Sequence, residues 1–432
     1  PGALGVMLWA RLNRPETQRT GESMTDSTRR CHYGVIVLAM GTLVVFGSLG
    51  LARFAYTVLL PSMQDGLGMD NTQAGALATA NLIGYLALCV LGGALASRFG
   101  PRAVIAAGLA VAGISMILTG LAGGIASAAA WRALAGIGSG ASNVPVMGLM
   151  AAWFAPRRRG LATGIAVAGS SVALILLGPV VPPILSAWGD SGWRVCWGVF
   201  GGVTLLLAAG AFILLRNRPD EMGLAPLGTR ADDPKPGPRT GPLEWGSVYR
   251  SPVVWHLGLV YVAFGFSYII YLTFFTKCLI ADGGYTQEAA GRLFMVMGWF
   301  SLVCGLIWGT ISDRIGRKWT LVIVYAIHTA AFALFALWPA PIGFTVSAVL
   351  FGLSAWSIPA IMAATCGDVL GPRLAPAGLG FITLFFGIGQ AAGPSVAGAM
   401  ADAAGSLSPA LLLAAGMAAL GGVAAALLRR GV

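Results

Sequence analysis

Two arginines stand where arginines are costly. Arg53 lies eight residues before the Pro61–Ser62 pair that ends one apolar run, and Arg132 lies eight residues after Gly124, which begins another. At 1.5 Å per helical residue each is roughly 12 Å from the nearer end of its run. A charged group at such depth in hydrocarbon costs at least about 2.5–3.5 kcal/mol, so its presence calls for a role. Two guanidiniums at equal depth could hold an anion, because the planar fork of arginine matches the oxygens of a carboxylate or phosphate. Each also has a plainer reading: Arg132 bonding backbone carbonyls, and Arg53 stretching its stem toward the interface.

Other polar residues share helical faces with these. Arg132, Ser139 and Asn143 stand at i, i+7 and i+11, while Asn81 and Tyr85 stand at i and i+4. Lys277 lies one turn after Thr273 and five residues before Asp282, roughly 8 Å deep by the same rise. It is placed either to meet a substrate or to pair with that acid. Gln390, just before Gly393–Pro394, lines a cavity or packs between helices. Trp299, Trp308, Trp356, Tyr268 and Tyr271 offer aromatic area to a pocket or anchors at an interface. Such polar sets also serve simply as interhelical hydrogen bonds. His328, His256, Arg194 and Arg292 read as structural. None of the sixteen acids lies inside an apolar run, and Asp402 stands at the end of one. The inventory is therefore bases without buried acids, from which a side-chain proton relay is hard to build.

Enzyme chemistry finds no foothold. The chain holds no GxSxG, no GxxxxGK[ST] and no HExxH. Its cysteines (Cys31, Cys89, Cys196, Cys278, Cys304, Cys366) show no CxxC and no histidine at ligand spacing. Neither a metal site, a disulfide framework nor a cofactor is expected.

The elements that must position these residues follow from composition. Of 432 residues 57% are hydrophobic and 10% charged, against about 25% charged in an average soluble domain. Twelve runs of about 20 residues can each cross a hydrocarbon core about 30 Å thick. They lie near 34–61, 74–97, 102–123, 125–154, 160–187, 193–215, 253–280, 286–312, 319–339, 341–366, 376–401 and 406–428. Membrane β-strands would need short alternating segments instead. The expected fold class is an all-α membrane protein of twelve transmembrane helices, with 62 glycines to let helices approach closely.

The net charge of +11 is a topology signal rather than a nucleic-acid patch. With a cytoplasmic amino terminus, 22 of the 27 Lys and Arg fall in the tail or in inner loops; the exceptions are Arg53, Arg132, Arg194, Lys277 and Arg292. That asymmetry places both termini in the cytoplasm of a multi-pass inner-membrane protein. Residues 1–30 are polar and Arg-rich without an apolar core, so they read as a cytoplasmic tail rather than a signal peptide, with Met24 a candidate start.

Residues 217–250, rich in Pro, Gly and charge, read as a cytoplasmic linker between bundles at 31–216 and 251–432. Internal echoes support the division. GALASRFGPR (93–102) recurs as GTISDRIGRK (309–318) at an offset of 216, and Gly178–Pro179 recurs as Gly393–Pro394 at an offset of 215. RRRGLATGI precedes the fifth run as RLAPAGLGFI precedes the eleventh.

On these residues the chain resembles the Major Facilitator Superfamily over positions 31–430. GTISDRIGRK matches that superfamily's loop signature, G-x-L-x-D-R-x-G-R-K/R, except at Ile311, and WRALAGIG (131–138) resembles its fourth-span arginine motif. LARFAYTVLLP (51–61) with ATANLIGYL (78–86) is similar to a poorly characterised bacterial subgroup. The resemblance implies two pseudo-symmetric six-helix bundles, each an inverted repeat, rocking about a midplane site that spans one and four help to line. It also implies two cytoplasmic latches that favour the outward-open state. One, opened by Gly309, is whole, with Asp313, Arg314, Arg317 and Lys318. The other, opened by Gly93, keeps Arg98 and Arg102 but has Ser97 for the acid and Pro101 for a base.

The expectation is a monomeric secondary transporter of a small organic anion, a carboxylate, in the lipid bilayer. Arg53 and Arg132 would bind it with Asn143, Ser139, Asn81, Tyr85, Lys277, Tyr271 and Gln390 around them. The alternatives are a proton-coupled exporter of drugs or lipophilic metabolites and a non-transporting sensor or scaffold.

Overall fold

The computed structural model describes residues 32–229 and 245–428. The tail 1–30 with Met24, Cys31 and the linker stretch 230–244 lie outside the described residues. The described chain is almost wholly helical, with an isolated bridge between Phe154 and Leu227. The helices are α1 Tyr33–Leu67, α2 Asn71–Phe99, α3 Pro101–Gly120, α4 Ile125–Trp153, α5 Pro156–Trp188 and α6 Gly192–Leu214. After the linker come α7 Pro252–Ala281, α8 Gln287–Ile315, α9 Arg317–Leu337, α10 Pro341–Gly371, α11 Ala377–Ala404 and α12 Ser408–Ala426.

The punctuation is local chemistry. Proline opens α3, α5, α7 and α10, where a first-turn N–H is not needed. Asp70 caps α2 in a reciprocal box with Gln73. Between α10 and α11 the chain turns at Gly371, whose φ of 70° is open to glycine at little cost.

Among the described residues eight stretches are long and apolar enough to cross a membrane, or ten if the bent α2 and α8 each count as one. This differs from the twelve runs expected. Helices α5 and α6 enter as one stretch, Pro156–Leu214, separated only by the tight turn Gly189–Ser191. Helix α4 is absent from the set because Arg132, Ser139, Ser142 and Asn143 dilute its apolar content.

Two helices depart from regular geometry near their middles. In α1, Phe46–Phe54 is π-helical, so that Ala55 N–H returns to the carbonyl of Gly50 instead of Leu51. In α10 the helix breaks at Ala355–Trp356. Pro359 explains this break: it has no N–H to give the Ala355 carbonyl, and its ring collides with that oxygen in a continuous helix.

Within the first six helices, α4 packs on α2 and α3, α3 on α6, and α1 on α5; within the last six, α7 packs on α11 and α12, α8 on α10, and α9 on α12. The two sets meet along α1·α7, α2·α11 and α5·α8. Those contacts gather at one end. Asp402 at the end of α11 accepts four hydrogen bonds from the start of α2: the N–H and Nδ2 of Asn71 at 3.0 and 2.9 Å, and the N–H and Oγ1 of Thr72 at 2.7 and 2.6 Å. Beside it, the backbones of α2 and α11 touch: a Cβ on Gly75 would lie 2.1 Å from the Pro394 carbonyl, and one on Gly398 2.1 Å from that of Asn71. Gln287 donates to the Val58 carbonyl at 2.8 Å, tying α8 to α1. Toward the other end, the Asp313–Arg317 and Arg317–Asp368 ion pairs and the Arg102–Phe212 hydrogen bond each stay within one set. The molecule thus has a closed end and an open end.

A side chain at position 75 or 398 has nowhere to go while the closed end stays shut. Gly75→Val or Gly398→Val is expected to speed maleimide labelling of a cysteine placed at Thr79 by about tenfold or more, with the fold retained by circular dichroism; unchanged labelling would show that the contact does not hold this end.

Candidate functional site

The two arginines meet. Arg53 comes from the π-helical part of α1 and Arg132 from the middle of α4, and both line one cavity of about 20 Å³ with Thr57, Asn81, Leu272 and Thr273 among its walls. That volume is room for about one water.

Arg132 is already engaged. Its Nη1 donates to the carbonyl of Ala52 at 2.6 Å, and its guanidinium lies 4.7 Å from the ring centre of Tyr56 and 5.1 Å from that of Trp197. Asn81 in turn donates to the backbone carbonyl of Arg132 at 2.9 Å, and Tyr56 donates to the Ala74 carbonyl at 2.8 Å. Arg132 therefore ties α4 to α1 and α6, with α2 anchored to both, a packing role compatible with one free edge: its Nε has no partner.

Arg53 is in the opposite condition. Only 8% of it is exposed, its plane lies 4.4 Å over the ring of Tyr85, and its Nε and Nη2 are buried without a hydrogen-bond partner. Those two nitrogens form one edge of the guanidinium, the edge that accommodates both oxygens of a carboxylate. Asn143 donates to the hydroxyl of Tyr85 at 2.9 Å, which fixes the ring under Arg53. Across the interface, Tyr268 is within range of the Arg53 charge and is hydrogen-bonded by Gln390.

Arg53, Arg132, Asn81, Tyr85, Asn143 and Gln390 thus form one connected group. Ser139 lies on α4 but gives its hydroxyl to the Ala135 carbonyl of its own helix. Tyr271 faces away from the cavity, bonded to Ser347 and enclosed by Phe275, Phe332, Phe335 and Phe351. Lys277 stands apart at the closed end, in a pocket of about 300 Å³ shared with Asn71, Asp282 and Asp402. Helix periodicity ranks depth and face but not which neighbours a residue meets at its level. Of the aromatic candidates, Trp356 packs behind the cavity wall: it stacks on the lining residue Phe54 at 5.6 Å and its indole N–H donates to Ser171 of α5 at 3.0 Å. Trp299 is exposed, and Trp308 bonds the Leu353 carbonyl.

Tyr56, Trp197, Thr57 and Leu272 were not singled out in the sequence. A signal existed for Tyr56, one turn beyond the Arg53 neighbour Ala52; Trp197 carried none, because the α4·α6 relation is tertiary.

At the open end, Asp313 pairs with Arg317 at 2.6 Å, and Arg317 also pairs with Asp368 on α10 at 2.9 Å. Lys318 donates to the Leu428 carbonyl at 2.7 Å. In the other loop Arg102 reaches the Phe212 carbonyl at 2.5 Å, Arg98 lies over Phe99, and Ser97 bonds back to the Gly93 carbonyl at 2.9 Å. These contacts stay within one set of six helices. Arg314 is exposed, and Gly309 lies in the turns leading to the second loop.

A family profile described as "Uncharacterised MFS-type transporter YbfB" matches residues 45–426. The chain belongs to this family of Major Facilitator transporters. It is 25% identical over 391 residues to the hexuronate transporter of Bacillus subtilis, covering 87% of this chain and 90% of that one. It is 24% identical over 331 residues to the oxalate:formate antiporter of Oxalobacter formigenes, covering 75% and 72%. Among solved structures, a bacterial homolog of the human lysosomal transporter Spinster, inward-facing and occupied, superposes with a TM-score of 0.72 at 17% identity, covering 93% of this chain and 97% of that one. The protein is a multi-pass membrane transporter of the Major Facilitator fold, and not an enzyme.

The different condition of the two arginines in this transporter sets opposite expectations for stability. Arg132→Ala removes the donor to Ala52 and two ring contacts, and should lower the melting temperature by several degrees, at a cost of about 2 kcal/mol or more. Arg53→Met removes an uncompensated buried charge and should leave it unchanged or raised. Scanning fluorimetry of the purified variants checks this, and an equal loss in both would contradict the division.

Proposed function

We propose that this transporter moves a small organic anion bearing a carboxylate, by alternating access between the bundles 31–216 and 251–432. The observation that carries the reading is Arg53, nine-tenths buried at a cavity with the Nε/Nη2 edge unpartnered, beside a second guanidinium. No acidic residue is among those that line the cavity. An anion is the ligand that would relieve this charge. Names of relatives agree: one moves hexuronate and another exchanges oxalate and formate. Arg132, Asn81, Tyr85, Asn143 and Gln390 hold the surroundings of Arg53 in place.

The open end carries the basic loops at 98–102, 157–159 and 314–318, so it is assigned to the cytoplasm of an inner membrane, with both termini on that side. The conformation is then inward-facing. In it the loop latches are released from the opposite bundle. Asp313 and its bases are poised to re-engage when the open end shuts, while the Ser97 loop lacks the acid to do the same.

Two experiments test this. In proteoliposomes, Arg53→Ala and Arg132→Ala should each lower carboxylate uptake by about tenfold or more, since each removes a buried cation from the site; wild-type rates in both would end the anion reading. Asp313→Asn should change the transport rate by about fivefold and Ser97→Ala by less than about twofold, because only the first removes a charged hydrogen bond. Equal effects would show that the two loops do equal work.

A further inference from the structure

The two sides of the cavity are chemically unequal, and this bears on which anion it takes. From α1, α2 and α4 come both guanidiniums and an amide. From the other six helices come Ile269, Leu272 and Thr273 at the cavity itself, all uncharged. Behind them stands a continuous aromatic wall. Trp356 stacks on Phe54 at 5.6 Å and meets Tyr268 edge-on at 6.4 Å, and Tyr268 stacks in turn on Phe264 at 4.6 Å. The basic candidates on that side are placed elsewhere: Lys277 lies in the closed-end pocket, and His328 is enclosed among Phe264, Phe332 and Phe351.

A second carboxylate directed toward α7 and α10, away from Arg53 and Arg132, would press against Ile269, Leu272 and rings. An unpaired carboxylate there loses its water and gains no partner. An apolar body gains about 25 cal/mol for each Å² removed from water, and a flat ring gains more by stacking. Trp356 is placed to sense such a body. It sits at the break in α10, so its backbone is not held in a regular helix, and its N–H is held by Ser171 of the opposite bundle. Its ring thus spans the interface beside the charged residue.

Resting on the anion reading above, we infer that the substrate is a monocarboxylate with an apolar, ring-sized body, its carboxylate on the Nε/Nη2 edge of Arg53 and its body against the wall of Phe54, Tyr268 and Trp356. Trp356 is then a specificity-determining residue.

The test is isothermal titration of the full chain in detergent with benzoate, phenylacetate, acetate, oxalate and tartrate. Benzoate and phenylacetate are expected to bind about tenfold tighter than acetate and than either dicarboxylate, a difference that burial of one ring readily supplies. Trp356→Ala should erase most of the preference for benzoate over acetate, and Trp356→Phe should retain it. Oxalate or tartrate binding as tightly as benzoate would overturn the inference and leave the anion reading standing. No binding of any of the five would overturn both. The ranking on the unmodified protein decides even if Trp356→Ala fails to fold.

Discussion

The hydrogen bond from Arg132 to the carbonyl of Ala52 is the contact on which the rest of the site depends. Ala52 precedes Arg53, and it lies in the stretch of α1 where hydrogen bonds skip an extra residue. A π-helical stretch is rare, and a bond from outside the helix to one of its carbonyls helps to hold it. A buried guanidinium does so well, because its bond to a carbonyl is charge-assisted and shielded from water. By holding Ala52, Arg132 sets the direction in which Arg53 leaves the helix. One arginine is thereby used as structure so that the other can remain chemically open.

That division explains why two identical side chains at the same depth have different surroundings. Arg132 is sandwiched by Tyr56 and Trp197, whose ring faces offset part of its lost hydration. Arg53 has one such ring, Tyr85, and two bare nitrogens. Leaving a buried charge short of partners is destabilising, and proteins keep such arrangements at working sites.

Much of this was legible in the residues. The depth of Arg53 and Arg132, the matching faces of Asn81 and Tyr85, and the long apolar runs all follow from periodicity and from the cost of charge in hydrocarbon. What escaped was set by departures from a regular helix or by which helices are neighbours. The π-helical turns in Phe46–Phe54 left only a weak trace, the small residues Gly47, Ser48 and Gly50. The break that frees Trp356 had a clear cause in Pro359, four residues beyond Ala355, but its consequence required knowing that α10 faces α1 and α5. Tyr271 and Lys277 show the reverse: on α7 they share the polar character of site residues, yet one is turned into an aromatic core and the other stands at the closed end.

The start of α2 is capped twice, from two different bodies. Asp70 receives the N–H of Gln73 from within the same turn, while Asp402, from α11, receives those of Asn71 and Thr72. When the closed end parts, the second cap leaves with its own bundle and the first stays. Water can reach the two released N–H groups at once, since they lie at the surface. The start of α2 is therefore not frayed by the movement that uncovers it. What is exchanged in opening is a set of contacts between bodies, with the secondary structure of neither placed at risk.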